Sequence, residues 1–167
     1  FYHSSSIMGL EAINEQTYLS FANHHLTKAG KHISTEAFGY LYHRFDGVTW
    51  YIQYVLNMLY SSGTDRALLT EDDVKAAIGM ILSQHRFAYQ ALIFQLTAKQ
   101  KQVLIAIAHE GKPSSLMSQS FLQRYHLGAS TVQGSVKTLL ERDFITQDEG
   151  YYQLCDKFLE LSLNDWE

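Results

Sequence analysis

Residues 126–154 read HLGASTVQGSVKTLLERDFITQDEGYYQL, and their hydrophobic period changes from helical to alternating within this stretch. Val132, Val136 and Leu139 recur at the spacing of one helix face, which predicts an amphipathic helix. Residues 144–154 then alternate on both sides of an Asp-Glu-Gly turn, as the two strands of a hairpin do. The stretch therefore predicts a helix followed directly by a β-hairpin.

The residues before this stretch supply two more helices. Thr97 and Gln100 have the spacing of a capping box, and Gly111 can end the helix that they begin. A short helix is predicted at about 118–125, and after a tight turn Ser130 is the predicted N-cap of the third helix. Three helices and a hairpin in this order are typical of a winged helix-turn-helix, whose third helix is the recognition helix and whose hairpin is the wing.

The first part of the chain is helical throughout. Apolar spacing predicts helices at about 10–29, 35–45 and 49–60, and a fourth from Thr70 that either continues through Phe94 or breaks near Gly79. Asn14 and Ser34 are the predicted N-caps of the first two helices, and Thr70 and Asp73 have capping-box spacing, with Asp in place of Glu or Gln. Ile13 and Phe21 fall on the predicted buried stripe of the first helix. We place a domain boundary near Leu96, which gives a helical domain 1–96 and a winged helix domain 97–167. The predicted fold class is mainly α, a helical bundle followed by a winged helix-turn-helix domain with a short β-hairpin wing.

Composition excludes several classes of protein. The 167 residues carry a net charge of -4, and the parts before and after the boundary carry -2 each, so a strongly basic nucleic-acid coat is excluded. A single cysteine, Cys155, forms no internal disulfide and favours a reducing, cytoplasmic location; we expect it to be a small buried residue. No apolar run is long enough to span a membrane. Because residue 1 is Phe, we expect the chain to begin inside a longer protein, with a processed N-terminus as the alternative.

The outward face of the third helix offers candidate contacts for DNA or for a protein partner. Hydroxyl and amide side chains can bond to base edges or phosphates, and cations can neutralise phosphates. An acidic wing tip, Asp148-Glu149, would repel the DNA backbone, so packing or protein contact is the favoured alternative. The candidate residues are Arg124, Ser130, Thr131, Gln133, Lys137 and Arg142.

Short patterns along the chain resemble the C-terminal part of a P-loop ATPase of the AAA+/STAND superfamily, of the archaeal-ATPase-like type. Asp46-Gly47-Val48 before the third predicted helix of the first part resembles the Gly-Gly-x-Pro motif that opens a lid helix. The segments 96–104, 130–141 and 156–159 resemble the family's winged-helix patterns, and Phe1-Tyr2 resembles the segment after the last core strand. The resemblance implies that residues 1–96 are a lid over nucleotide bound by an absent N-terminal ATPase core.

The same resemblance implies Gly47, Thr49 and Trp50 as the nucleotide-proximal lid residues, and ATP or ADP with Mg²⁺ as ligands of the parent protein. The chain departs from the family pattern at three positions. Thr49 replaces the lid proline, and Lys157 replaces the closing proline. Trp50 stands where AAA+ lids often have an arginine that senses the nucleotide phosphate, so the sequence does not support nucleotide sensing by this side chain.

The sequence provides no catalytic machinery of its own. It has no G-x-x-x-x-G-K-[ST] loop, no metal-ligand spacing among its eight histidines and no nucleophile elbow, so we predict no catalytic residue, no metal site and no cofactor bound by the chain alone. The leading hypothesis is a non-catalytic ATPase region that closes over nucleotide and couples its state to a partner or to DNA. A DNA-binding transcriptional regulator with an N-terminal sensing or dimerising domain is one alternative, and a protein-interaction module is another.

Overall fold

The computed structural model describes residues 12–63 and 66–164. The described chain is mainly helical, and it divides into two compact units between Ile81 and Leu82. The predicted fold class is therefore confirmed, and the division into domains 1–96 and 97–167 stays a prediction. The predicted start of the first helix near Leu10 and the pattern at Phe1-Tyr2 lie outside the described residues.

The first unit contains three helices, a pair of two-residue strands and the first part of a fourth helix, which continues past Ile81. Asn14 caps α1 as predicted, because its side chain accepts the backbone N–H groups of residues 16 and 17, and Gly30 follows the helix in the left-handed conformation. Ser34 caps α2 as predicted. The elements are α1 Glu15–Leu26, β1 His32–Ile33, α2 Thr35–Arg44, α3 Thr49–Ser61, β2 Leu68–Leu69 and α4 Glu71–Phe94.

Strands β1 and β2 pair in parallel, with His32 opposite Leu68 and Ile33 opposite Leu69. Sequence reasoning did not find them, since two residues are too few to show a strand period. The core of this unit is apolar and includes the edge-to-face pair of Tyr18 and Phe38, whose ring centroids are 5.5 Å apart. Fully buried side chains come from all of these elements, among them Ile33, Leu41, Phe45, Ile52 and Leu69.

Four apolar side chains that follow the predicted buried faces of two helices are exposed. Ile13 and Phe21 were predicted on the buried stripe of α1 but are 42% and 52% exposed. Phe87 and Phe94 of α4 continue the apolar pattern but are more than 80% exposed, whereas Tyr89 and Ile93 are buried. The apolar spacing within one helix does not determine which face of that helix the neighbouring elements cover. Helix α4 also runs through position 79 without the break that the glycine suggested.

Lys31 is a buried cation that closes the end of α3. Only 6% of its surface is exposed, and its ammonium donates to the carbonyls of Leu59, Tyr60 and Ser62 at 2.8, 3.0 and 2.5 Å. The last carbonyls of a helix lack intrahelical donors, and they carry the negative end of the helix dipole. Lys31 therefore supplies a donor to the carbonyls of Tyr60 and Ser62, and it shares the Leu59 carbonyl with the Ser62 hydroxyl, which donates to it at 2.7 Å.

Asp73 performs the corresponding task at the start of α4. Its carboxylate accepts the backbone N–H and the hydroxyl of Thr70, both at 2.8 Å, and Arg66 lies 3.3 Å away. The Thr70 N–H and hydroxyl, followed by Arg66, hold the pKa of Asp73 below its ordinary value of 3.8. The carboxylate arm of the predicted capping box is thus present, with Asp in place of Glu or Gln.

The second unit contains α5 Ala98–Glu110, α6 Gln119–Arg124, α7 Ala129–Glu141, β3 Ile145–Asp148, β4 Tyr151–Leu154 and α8 Lys157–Asn164. The predicted capping box of Thr97 and Gln100 is complete in both directions. Strands β3 and β4 form the antiparallel hairpin, joined by Glu149 and Gly150, which both have positive φ. That geometry matches a two-residue turn of type I′.

We predict that Lys31→Met destabilises the chain by about 2–3 kcal/mol, because it leaves helix-end carbonyls without a donor. Urea denaturation followed by circular dichroism measures the loss. Lys28→Met is the matched control, since Lys28 is exposed, and it should change stability by less than about 0.5 kcal/mol. Equal effects of the two variants would contradict the role given to Lys31.

We predict that Asp73→Asn removes part of the pH dependence of stability. A lowered folded pKa means that the contribution is fully present above the unfolded value of 3.8 and is lost as the pH falls through the folded pKa. The variant should be less stable than the natural chain at neutral pH, by about 1 kcal/mol, and the two should converge in acid. Urea midpoints at several pH values measure this, with the exposed Asp72→Asn as control; a constant difference at all pH values would refute it.

Candidate functional site

Helix α7 places the candidate contact residues of the winged helix. Its N-cap is Gly128, in an extended conformation and without a side-chain cap, so the prediction that Ser130 caps this helix is wrong. The helix starts one residue before Ser130, which leaves the hydroxyl on the outside. Ser130, Gln133 and Lys137 are exposed and Thr131 is half-buried, while the opposite face packs on α5.

Arg124 is held by the chain itself. Its guanidinium forms an ion pair with Glu110, and the Tyr125 hydroxyl donates to the same carboxylate oxygen at 3.0 Å. The hydrogen bond and charge of Glu110 raise the pKa of Arg124, and burial followed by Glu110 raises that of Tyr125. Arg124 is thus a cation whose charge is already matched, and a phosphate would have to compete with Glu110 for it.

Arg142 is also engaged. Its guanidinium donates to the backbone carbonyl of Gln95 at 3.3 Å and to the Gln95 side-chain oxygen at 3.0 Å, and it lies over the ring of Phe144 at 5.3 Å. By contrast, the ammonium of Lys137 lies 3.9 Å from Glu141, and its side chain is 78% exposed. Of the three predicted phosphate-binding cations, Lys137 is therefore the one most available to a partner.

The hairpin that follows α7 presents negative charge at its tip. Asp148 and Glu149 are exposed at its tip, and neither forms an ion pair within residues 12–63 and 66–164. The predicted acidic wing tip is present. Together with the engaged arginines, it gives the candidate surface less attraction for a phosphate backbone than its residue types suggest.

A groove that the sequence did not reveal lies beside α7. It encloses about 330 Å³, and its walls are the loop 114–117, Val132, Gln133 and Val136 of α7, and Gln147 and Tyr152 of the hairpin. We call it the wing groove. None of its lining side chains is charged. No pattern in the sequence predicts the wing groove, because its three walls come from segments that are distant along the chain.

The lid residues implied by the resemblance lie at the start of α3. Gly47 is buried with φ 71°, and a Cβ there would approach the Tyr42 hydroxyl to 2.8 Å, so the position requires glycine. The Thr49 carbonyl accepts the Tyr18 hydroxyl at 3.3 Å. Trp50 is 62% exposed, and its ring meets Tyr51 edge-on, with centroids 4.8 Å apart.

Cys155 is exposed, so the prediction of a small buried residue is wrong. Partial desolvation, followed by the charges of Asp143 and Asp156, raises the pKa of its thiol, which disfavours the reactive thiolate at neutral pH. Within the described residues, no three His, Cys, Asp or Glu side chains are grouped to hold a metal ion. No helix in the same residues combines the length and apolar character needed to cross a bilayer.

Comparison with known proteins gives one finding. No curated protein and no solved structure matches the chain. A family model described as a probable winged helix domain matches residues 87–165, which contain α5 to α8 and the hairpin of the structure. The C-terminal part of the chain is therefore a winged helix domain.

Proposed function

We propose that this chain is the lid and winged helix region of a P-loop ATPase, and that it couples the nucleotide state of a separate core to a macromolecular partner. The turn that begins α3 is the observation that carries the proposal. Asp46 and Gly47 both adopt positive φ, and Gly47 is packed against Tyr42 so closely that no side chain fits. A required glycine two residues before the first residue of a helix supports the resemblance to the lid motif.

The order of the parts agrees with this proposal. A helical unit precedes a winged helix domain, as in the ATPases that the sequence resembles. In this assignment residues 1–96 are the lid and residues 97–167 the winged helix domain, and the lid moves as a rigid body when nucleotide binds. A cytoplasmic location, where ATP is available, is part of the proposal.

The chain's own residues do not fit a role in coordinating Mg²⁺ or in binding the phosphates of ATP or ADP. The described residues contain no grouped carboxylates for a metal ion, and Trp50 has no guanidinium to place on a phosphate. ATP with Mg²⁺ would supply the hydrolysable bond in the core. Here Gly47 shapes the turn, Thr49 opens α3, and Trp50 offers an exposed ring to the nucleotide or to the core.

Trp50 provides the test of this proposal. The gene should encode a P-loop before Phe1. When ADP and Mg²⁺ are added to the protein that includes this P-loop, the Trp50 ring should become covered. The fluorescence of Trp50 should then shift to shorter wavelength. Trp50→Phe should abolish this shift while nucleotide still binds. A gene without a P-loop, or a fluorescence change that persists in Trp50→Phe, would contradict the proposal.

DNA binding through the winged helix is the second candidate. The exposed side chains of Ser130, Gln133 and Lys137 on α7 favour it, since their donors and acceptors suit base edges and phosphates. The other candidate residues would then lie at the edge of the DNA contact; they are Thr131, Arg124 and Arg142.

This candidate predicts binding of genomic DNA fragments that weakens steeply between about 50 and 200 mM salt in a mobility-shift assay. Lys137→Ala should weaken binding to all sequences alike and reduce the salt slope by about one. Lys99→Ala is a control for loss of an exposed lysine outside α7. Absence of a shift at micromolar protein would exclude this candidate.

A further inference from the structure

We propose that the wing groove is a docking site for a protein segment that carries an apolar side chain next to Lys or Arg. The inference names a partner class for the proposed function and relies on that function only for the biological role of the contact. The binding itself is a property of the winged helix domain and involves no nucleotide.

The lining of the groove indicates an apolar anchor. Met117 is 48% exposed and Val136 of α7 is half-buried, and both line the groove together with the fully buried Val132. A volume of about 330 Å³ is enough for one or two side chains of the size of Leu or Met. Methionine at such a surface adapts to apolar groups of different shape.

Two amide side chains supply polar contacts. Gln133 and Gln147 line the groove, both are exposed, and neither hydrogen-bonds with another side chain in the part of the chain that the structure describes. Each carries two N–H donors and an acceptor oxygen, the set that a peptide group requires. Gln147 is the register partner of Tyr152, which places both at one level of the hairpin.

Charge complementarity indicates the residues that flank the anchor. Asp148 and Glu149 follow Gln147 directly and are exposed without an ion pair among the described residues. These carboxylates lie one and two residues from Gln147, and charges act over about 8 Å in physiological salt, so they favour a Lys or Arg beside the anchor. A nucleic acid would bring phosphates to the same place and be repelled.

The probe is a display library of short random peptides, selected on the complete 167-residue chain. We expect the enriched sequences to share an apolar residue within a few positions of Lys or Arg. Synthetic copies of these peptides should bind the chain, as measured by fluorescence anisotropy. The double variant Asp148→Asn, Glu149→Gln should weaken peptide binding about threefold and make the affinity less dependent on salt concentration.

Met117→Asp tests the groove itself and should weaken binding about tenfold or more. Met80→Asp is the matched control, since Met80 is 47% exposed and Met117 48%; it should leave affinity unchanged. Gln147→Ala should weaken binding about threefold with an unchanged circular dichroism spectrum.

Four outcomes would overturn the proposal. They are an absence of enrichment, enriched peptides that lack basic residues, equal loss in Met117→Asp and Met80→Asp, and displacement of the peptide by a random-sequence DNA duplex. The last would assign the surface to DNA instead. Because nucleotide is absent from all of these measurements, failure here is distinct from failure of the ATPase proposal, which the gene and the Trp50 fluorescence decide.

Discussion

The winged helix domain depends on the buried face of α5. Val103, Leu104 and Ile107 are fully buried, and α5 packs against α7, α8 and β4. Each such side chain contributes about 1.5–3 kcal/mol by leaving water. Ala106 and Ala108, also buried, let the neighbouring elements approach closely. With this helix at the centre, the positions of α7 and of the hairpin follow, and so does the side of α7 that faces solvent.

The same packing determines how many cations on the surface of the winged helix domain are available to bind a phosphate. Glu110 lies at the end of α5 and engages Arg124, and Gln95, just before α5, engages Arg142. Surface ion pairs add little stability by themselves, but they reduce the number of cations that can meet a phosphate. The composition counts seven Lys or Arg in residues 97–167, whereas the outward face of α7 is left with Lys137. Residue type alone therefore overstates the resemblance of this surface to a DNA-binding one.

The sequence predicted the features that depend on residues close together along the chain. The Thr97–Gln100 capping box and the Asn14 cap join residues two or three positions apart, and both were correct. The partners of Lys31 lie about thirty positions away and those of Arg142 forty-seven. The wing groove joins three separate segments. No periodic or local signal contains such contacts, so the sequence indicated the winged helix but not the state of its cations.

At the start of α7, the preference of serine for the N-cap position competes with the geometry of the preceding turn. Ser130 is a good N-cap residue, but Gly128 in an extended conformation lets the helix begin at Ala129, three positions after His126, which takes a positive φ. The tight turn that joins α6 and α7 thus fixes the start of the helix, and the cap preference yields to it. The result leaves Ser130 exposed on the surface from which a partner would approach.

The connection between the loop and the hairpin bears on whether the wing groove is ready to bind. The backbone N–H of Tyr152 donates to the carbonyl of Pro113 at 2.9 Å, which ties the segment leading into the loop 114–117 to β4. Both strands are held in register, and α7 is fixed by its packing on α5. A site whose walls are fixed before binding loses less conformational entropy when a ligand enters. The groove therefore needs only a partner of the right chemistry, and the uncharged lining beside an acidic tip selects an apolar, basic peptide segment over a polyanion.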